Sequence, residues 1–259
     1  MYLTNLPGAF LTFLIAILGL VFGSFISSIT WRIPKAKTIF FDRSICPKCK
    51  KRISFFDNIP LISYLILGAK CRNCKKRISI RYPLIELSSM IGFLSLFFVF
   101  KGYPLLLLLT VYVLFLVTLT IFIIDLERQI IPDNLVFILF LLFILKSYFL
   151  SAQAGLNPNS ENIIWDNIFF GFAASLFLLF LHLVTKGKGM GLGDVKLALP
   201  LGFLLGGLPA YYFMFYSFLT GAIVGIILIL AKKASFGQRI AFGPFMIIGF
   251  WISFVSVYL

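Results

Sequence analysis

The chain is 259 residues long, 61% hydrophobic and only 12% charged, with a mean hydropathy of +1.04. A soluble domain of this size needs a polar surface that such a composition does not supply, so the predicted class is an all-α polytopic membrane protein. The net charge of +14 is concentrated, with 14 of the 23 Lys and Arg residues between Arg32 and Arg81 against two acids, Asp42 and Asp57. Nucleic-acid binding is one use of such a block. In a membrane chain the positive-inside rule and nearby anionic lipid headgroups account for it with no nucleic-acid partner.

The first apolar run, about 9–29, has no basic segment before it and is too long for an ordinary signal sequence, so it reads as a retained first helix. Arg32, Lys35 and Lys37 flank its end and predict an N-terminus on the outside. Residues 31–83 form the one soluble module, between the first and second spans. All four cysteines lie in it, as Cys46-Pro-Lys-Cys49 and Cys71-Arg-Asn-Cys74 with 21 residues between the pairs. Two such knuckles can set four thiolates tetrahedrally around a structural zinc, as in a zinc ribbon. Disulfides are the rival pairing, disfavoured in a reducing cytosol. A thioredoxin-like redox role lacks the surrounding βαβ pattern. A closed four-thiolate site leaves no open position for catalysis, and its task would be to staple a domain too small to hold a core.

About 20 apolar residues cross a bilayer. On that measure eight spans are expected, at 8–30, 84–101, 105–124, 135–150, 165–185, 196–208, 211–231 and 240–258. The organisation is therefore a first transmembrane helix (1–30), a cytoplasmic four-cysteine domain (31–83) and a transmembrane core (84–259). The sixth span is short and carries Gly202, Gly206 and Gly207; the seventh holds Gly221 and Gly225, a small-xxx-small spacing that permits close helix approach. With the N-terminus outside, the basic block, Arg128, Lys186, Lys188, Lys232, Lys233 and Arg239 all fall inside. The outside loops hold little positive charge: Lys101 stands beside Gly-Tyr-Pro, and 151–164 is Asn-rich with Glu161.

This topology brings two acids to the cytoplasmic face. Asp125 follows Ile-Phe-Ile-Ile at the end of the third span, and Asp194 follows four glycines in seven residues, Gly187 to Gly193. Acids at membrane helix ends are costly to desolvate and are solvated, paired or functional. Each alone could be incidental, Asp194 as a helix cap. Together they suit a water-activating carboxyl pair, with glycine N–H groups available to an extended substrate or an oxyanion. The glycine segment is no phosphate loop, since the Gly-Lys-Ser/Thr ending and a preceding strand are absent. Asp133, after Pro132, reads as a first-turn acid of the next helix, and His182 as a helix–helix hydrogen bonder. The competing class is a non-catalytic transporter or scaffold with a zinc-stapled docking domain, in which the two acids would bind ions. Transporters place such acids near the midplane, whereas these stand at helix ends.

Several segments resemble the bacterial prepilin peptidases, membrane aspartic proteases of the GxGD type. They are Gly23-Ser-Phe25 with Arg32-Ile-Pro34, Cys46-Pro-Lys-Cys49, Asp57-Asn-Ile-Pro60, Gly68-Ala-Lys-Cys-Arg-Asn-Cys74 and Ile78-Ser-Ile-Arg-Tyr-Pro-Leu-Ile-Glu86. Asp125 with Ile131-Pro-Asp133, and Gly189-Met-Gly-Leu-Gly-Asp-Val-Lys196, complete the set, which covers about 20–200. The resemblance implies cleavage of the basic leader of type IV prepilins or pseudopilins after Gly, at the cytoplasmic side of the bacterial inner membrane. It also implies N-methylation of the new N-terminus from S-adenosylmethionine, an activity linked to the cysteine domain. Carried over residue by residue, it makes Asp125 and Asp194 the catalytic pair and Cys46, Cys49, Cys71 and Cys74 the zinc ligands. One departure is Ser27, where the family usually has Asn.

Overall fold

A computed structural model describes residues 8–33, 44–154, 160–233 and 240–258, the side chains of 148–154 and 160–163 excepted. Lys35, Lys37, Asp42, Arg239 and the side chain of Glu161, used above to judge loop charge, lie outside the described residues. The helices are α1 (Gly8–Arg32), α2 (Ile62–Ile66), α3 (Arg81–Phe100), α4 (Leu105–Arg128), α5 (Asp133–Ala154), α6 (Ser160–Val184), α7 (Leu192–Leu205), α8 (Gly207–Leu230) and α9 (Gly243–Ser256). Among the described residues, extended structure is limited to two isolated bridges, Ile45 with Arg52 and Lys70 with Arg77.

The expected spans fall on helices of unequal length. Among the described residues, five segments are long and apolar enough to cross a membrane: α1, α3, α4, Ile164–Val184 of α6, and α8. α7 and α9 are shorter, at 14 residues each. The α7–α8 boundary differs from expectation. Gly206 and Gly207, with φ of +67° and +48°, turn the chain almost at once, so α7 stops at Leu205 and α8 starts at Gly207.

The chain divides into two compact units, Met1–Leu116 and Val117–Leu259. In the first, α1 packs on α3 through Gly19 and Gly23. A Cβ on either would lie 2.7 Å from a backbone Cα of α3, that of Met90 or of Glu86. Phe93 of α3 stacks on Tyr112 of α4 with ring centroids 4.3 Å apart. The Ser27 hydroxyl donates to the Ser24 carbonyl at 2.7 Å, satisfied within its own helix. In the second unit, α6 and α7 meet at Gly171 and Gly202, where a Cβ on Gly202 would lie 2.6 Å from the Gly171 Cα. Lys146 of α5 donates to the Leu204 carbonyl at 2.6 Å, closing the C-terminal end of α7. α9 meets α8 at Gly249 and is joined to α4 by a bond from Trp251 Nε1 to Thr118 Oγ1 of 3.0 Å.

The Gly221–Gly225 spacing does not mark a close approach. A Cβ on Gly221 would make ordinary 3.4 Å contact with Phe242 and Phe245, and one on Gly225 would meet nothing within 4 Å. The same four-residue spacing at Gly19 and Gly23 is where backbones touch. Gly23→Val is therefore expected to overpack α1 on α3 and destabilise by about 1–3 kcal/mol. Gly225→Val should leave stability unchanged, and thermal unfolding of both variants in detergent checks the contrast.

Candidate active site

Asp125 closes the buried face of α4 one turn before that helix ends, and Asp194 stands in the first turn of α7. Both lie in the second unit and both are buried, with 4% and 8% of their surface exposed. Three neighbours bring them together. Gly243, first residue of α9, abuts Asp125 so closely that a Cβ there would lie 2.5 Å from Oδ2. Ile131 packs against both Gly193 of α7 and Gly243, with contacts of 3.4 Å to the Cβ position of each. The first turns of α7 and α9 thus meet the last turn of α4 around two carboxyls.

The two acids are held differently. Asp194 Oδ2 accepts the Gly191 N–H at 3.1 Å, so this carboxyl does cap its own helix. Asp125 Oδ2 is buried without a hydrogen-bond partner. A buried carboxylate oxygen left so is rare in native structures and calls for an explanation such as a substrate, a water or a proton.

The glycine segment uses its glycines unequally. Gly187 has φ of +72°, which favours glycine, whereas Gly191 is extended at φ −82° and its N–H is taken by Asp194. His182 corrects an expectation: its Nδ1 lies 2.7 Å from the Met190 carbonyl, so it ties α6 to the glycine segment rather than to another helix. A Cβ on Gly187 would lie 3.1 Å from Cε1 of the same ring. Asp133 is in the first turn of α5, as expected, and pairs across to Lys196 of α7 at 2.9 Å, with both side chains mostly exposed. Gly243 was hidden in the sequence inside the last apolar run; the Gly-Pro step at the helix start was the available signal.

The four cysteines gather in the first unit. Their Sγ atoms all lie within 4.8 Å of one another, with Cys46 and Cys74 at 4.0 Å. The knuckles are built alike. Cys46 N–H bonds the Lys51 carbonyl at 3.0 Å and Cys71 N–H the Lys76 carbonyl at 2.9 Å, and each turn closes on a left-handed lysine, Lys50 or Lys75. Backbone N–H groups of Cys74 and Asn73 draw the Cys71 thiol down to about 7. At Cys49 a backbone bond from Lys51 likewise draws the thiol down, but burial and the neighbouring Cys46 and Cys74 outweigh it and push the thiol up to about 11. Four thiols so packed cannot all ionise without a cation among them, and the cluster could hold a metal ion. Beside it, Arg72 grips Asp57 with a contact of 2.7 Å and holds that carboxyl below its ordinary range.

Comparison with known proteins agrees with this division. Residues 17–100 match the bacterial peptidase A24 N-terminal domain, and residues 112–226, with both aspartates, match the type IV leader peptidase family. The chain belongs to the type IV leader peptidase family. It is 34% identical over 279 residues to the prepilin leader peptidase/N-methyltransferase of Pseudomonas aeruginosa, covering 97% of this chain and 92% of that one. The proteins of the same name from Stutzerimonas stutzeri and Neisseria gonorrhoeae are 33% and 31% identical, covering 92% and 94% of this chain and 88% and 90% of theirs. No solved structure matches the chain.

In this leader peptidase the His182–Met190 bond is expected to steady the segment that delivers Asp194. His182→Ala should speed amide hydrogen exchange across 186–191 about fivefold, the worth of a hydrogen bond of ~1 kcal/mol. Mass-resolved exchange in detergent measures it.

Proposed function

We propose that this leader peptidase is an aspartic endopeptidase that removes the leader of type IV prepilins or pseudopilins and then methylates the exposed amine. The observation that carries the first activity is the pair of buried carboxyls, Asp125 and Asp194, gathered where Ile131 bridges the first turns of α7 and α9. Two carboxyls that share one site release their protons in separate steps, and the pair keeps one between them. The ionised member takes a proton from water as it attacks the scissile carbonyl, while the protonated member donates to the carbonyl oxygen. The unpartnered Asp125 Oδ2 supplies an acceptor for that water. The Gly191 N–H keeps one oxygen of Asp194 occupied and so orients the other. Gly243 leaves the room in which the Asp125 carboxyl stands.

The methyl transfer rests on the names of the relatives, with S-adenosylmethionine supplying the methyl group. Cys46, Cys49, Cys71 and Cys74 fit a structural zinc, because a tetrahedral four-thiolate site wants sulfurs roughly 3.8 Å apart and these need only a small contraction. The charge pattern of the loops supports an inner-membrane protein with the cysteine module and the carboxyl pair on the cytoplasmic side, where a leader is presented.

The test is mass spectrometry of a co-expressed prepilin's N-terminus. Cleavage after Gly and an added methyl are expected with the wild type. Asp125→Asn and Asp194→Asn should each lower cleavage roughly a thousandfold or more while still inserting. Near-normal cleavage by either purified variant would remove the dyad. Gly243→Ala, which drives a methyl into Asp125, should slow cleavage about a hundredfold with insertion intact. Metal analysis of the purified protein should find one zinc per chain, lost in Cys71→Ser.

A further inference from the structure

The cysteine module lacks what a soluble module of its size requires. Among the described residues of 44–80, Cys46 alone is buried. Its largest apolar side chains point outward instead: Phe55 is 84% exposed, Phe56 74%, Leu65 75% and Ile66 76%. Ile62, Leu65 and Ile66 share one face of α2 by their i, i+3, i+4 spacing, and Ile62 is exposed too. Exposed apolar groups of this kind are ordinary on α1, α3 and α8, which present them to hydrocarbon. On a water-facing module they mark an interaction surface.

The position of α2 says what that surface meets. Leu61, the residue before α2, gives its N–H to Glu86 Oε2 at 2.9 Å. Glu86 is buried about one and a half turns inside α3, a helix fit to span the membrane. The start of α2 is therefore pinned at the level where α3 enters the bilayer. Leu61 is also strained, at φ 57° and ψ −48°, and its neighbours close a three-residue turn through Ile62 N–H and the Pro60 carbonyl at 2.6 Å. Such a conformation persists only where its surroundings enforce it, and the Glu86 bond does so. The flanks are basic: Lys50, Lys51 and Arg52 on one side, Lys70, Lys75, Lys76 and Arg77 on the other. An apolar face flanked in sequence by cations is the pattern of segments that lie in an anionic headgroup layer.

We infer that α2 and the Phe55–Phe56 turn lie in the anionic leaflet of the chain's own membrane, as a shallow lipid-binding surface held at that depth by the Glu86–Leu61 hydrogen bond. Ile62, Leu65 and Ile66 face the acyl chains, and the flanking lysines and arginines face lipid phosphates.

The full-length protein in nanodiscs of phosphatidylcholine with phosphatidylglycerol tests this without reference to activity. Phe56→Trp and Leu65→Trp are compared with wild type as difference emission, against tryptophan amide in water and against Phe98→Trp on α3. The expected result is blue-shifted emission, at least threefold weaker quenching by iodide than the free amide, and stronger quenching by lipids brominated near the carbonyl end of the chain than near the methyl end. Water-like emission with free iodide access overturns the inference. So does protection from iodide and bromolipid alike, which would mean that protein, a second copy or another partner, covers the face. Wild-type protein gives a second reading: a phospholipid with a diazirine near the carbonyl end of its chain should label peptide 54–68. Absence of that label, with α3 labelled, overturns the inference as well.

Discussion

In an apolar solvent helices gain nothing by hiding apolar surface from one another, so their association depends on how closely backbones can approach. This chain meets that constraint with glycine at chosen crossings: Gly19 and Gly23 on α3, Gly171 against Gly202, and Gly249 on α8. At the candidate site the same device carries chemistry. Gly243 lets α9 begin against the Asp125 carboxyl, and Gly193 lets α7 begin against Ile131. Remove the close approaches and the first turns of α7 and α9 could not converge on the last turn of α4.

Close packing then leaves each buried polar group dependent on a partner inside the protein. Most have one. Lys146 closes the end of α7, Ser175 donates to the Val195 carbonyl at 3.0 Å, and Arg81 reaches Thr30 at 2.7 Å. Among the described residues the buried side-chain atoms with no partner are Ser89 Oγ, Ser253 Oγ and Asp125 Oδ2. A hydroxyl is cheap to leave unpaired compared with a carboxyl oxygen, so the third exception weighs most. It belongs to a residue beside Gly243, and Ile131 bridges that glycine to the first turn of α7, where a second acid is buried. That coincidence separates Asp125 from Glu86, which is also an acid buried within a membrane helix but spends an oxygen on the Leu61 N–H.

The helical fold was legible because long apolar runs announce themselves, and the cysteine cluster because metal knuckles have a fixed stride; the break at Gly206 and Gly207 was not, since an apolar run does not show where a turn divides it. Both aspartates stood out as charges in apolar runs, and both lie buried in one unit. What the sequence hid was set by contacts between distant segments. Gly243 looks like any glycine in an apolar run until α4 is placed beside it. The Gly221–Gly225 spacing carries the same pattern as Gly19–Gly23, yet only one of them finds a neighbouring backbone, and periodicity has no term for that. His182 was read against other helices because it sits in a helix, whereas its partner is a loop carbonyl eight residues on. The likeness of the two knuckles is written in the sequence as well, since Cys-x-x-Cys-Lys-Lys-Arg-Ile-Ser stands at 46–54 and again at 71–79, and the backbone bonds and left-handed Lys50 and Lys75 repeat with it.

The cysteine module shows how far a small domain can dispense with a core. A chain of about 50 residues is marginal even when its apolar side chains are packed together, and here they are turned outward. Two other constraints take the place of a core. The sulfur cluster draws residues 46–49 and 71–74 together across the intervening turn, and Arg72 with Asp57 reinforces it from the same side. The Glu86–Leu61 bond fixes the opposite end of that turn to a membrane helix. Neither is enough alone: the cluster leaves α2 unanchored, and the bond leaves the knuckles apart. With the outward apolar face lying in lipid, the bilayer becomes the third side of the domain. Its fold would then be a property of the module and the membrane together.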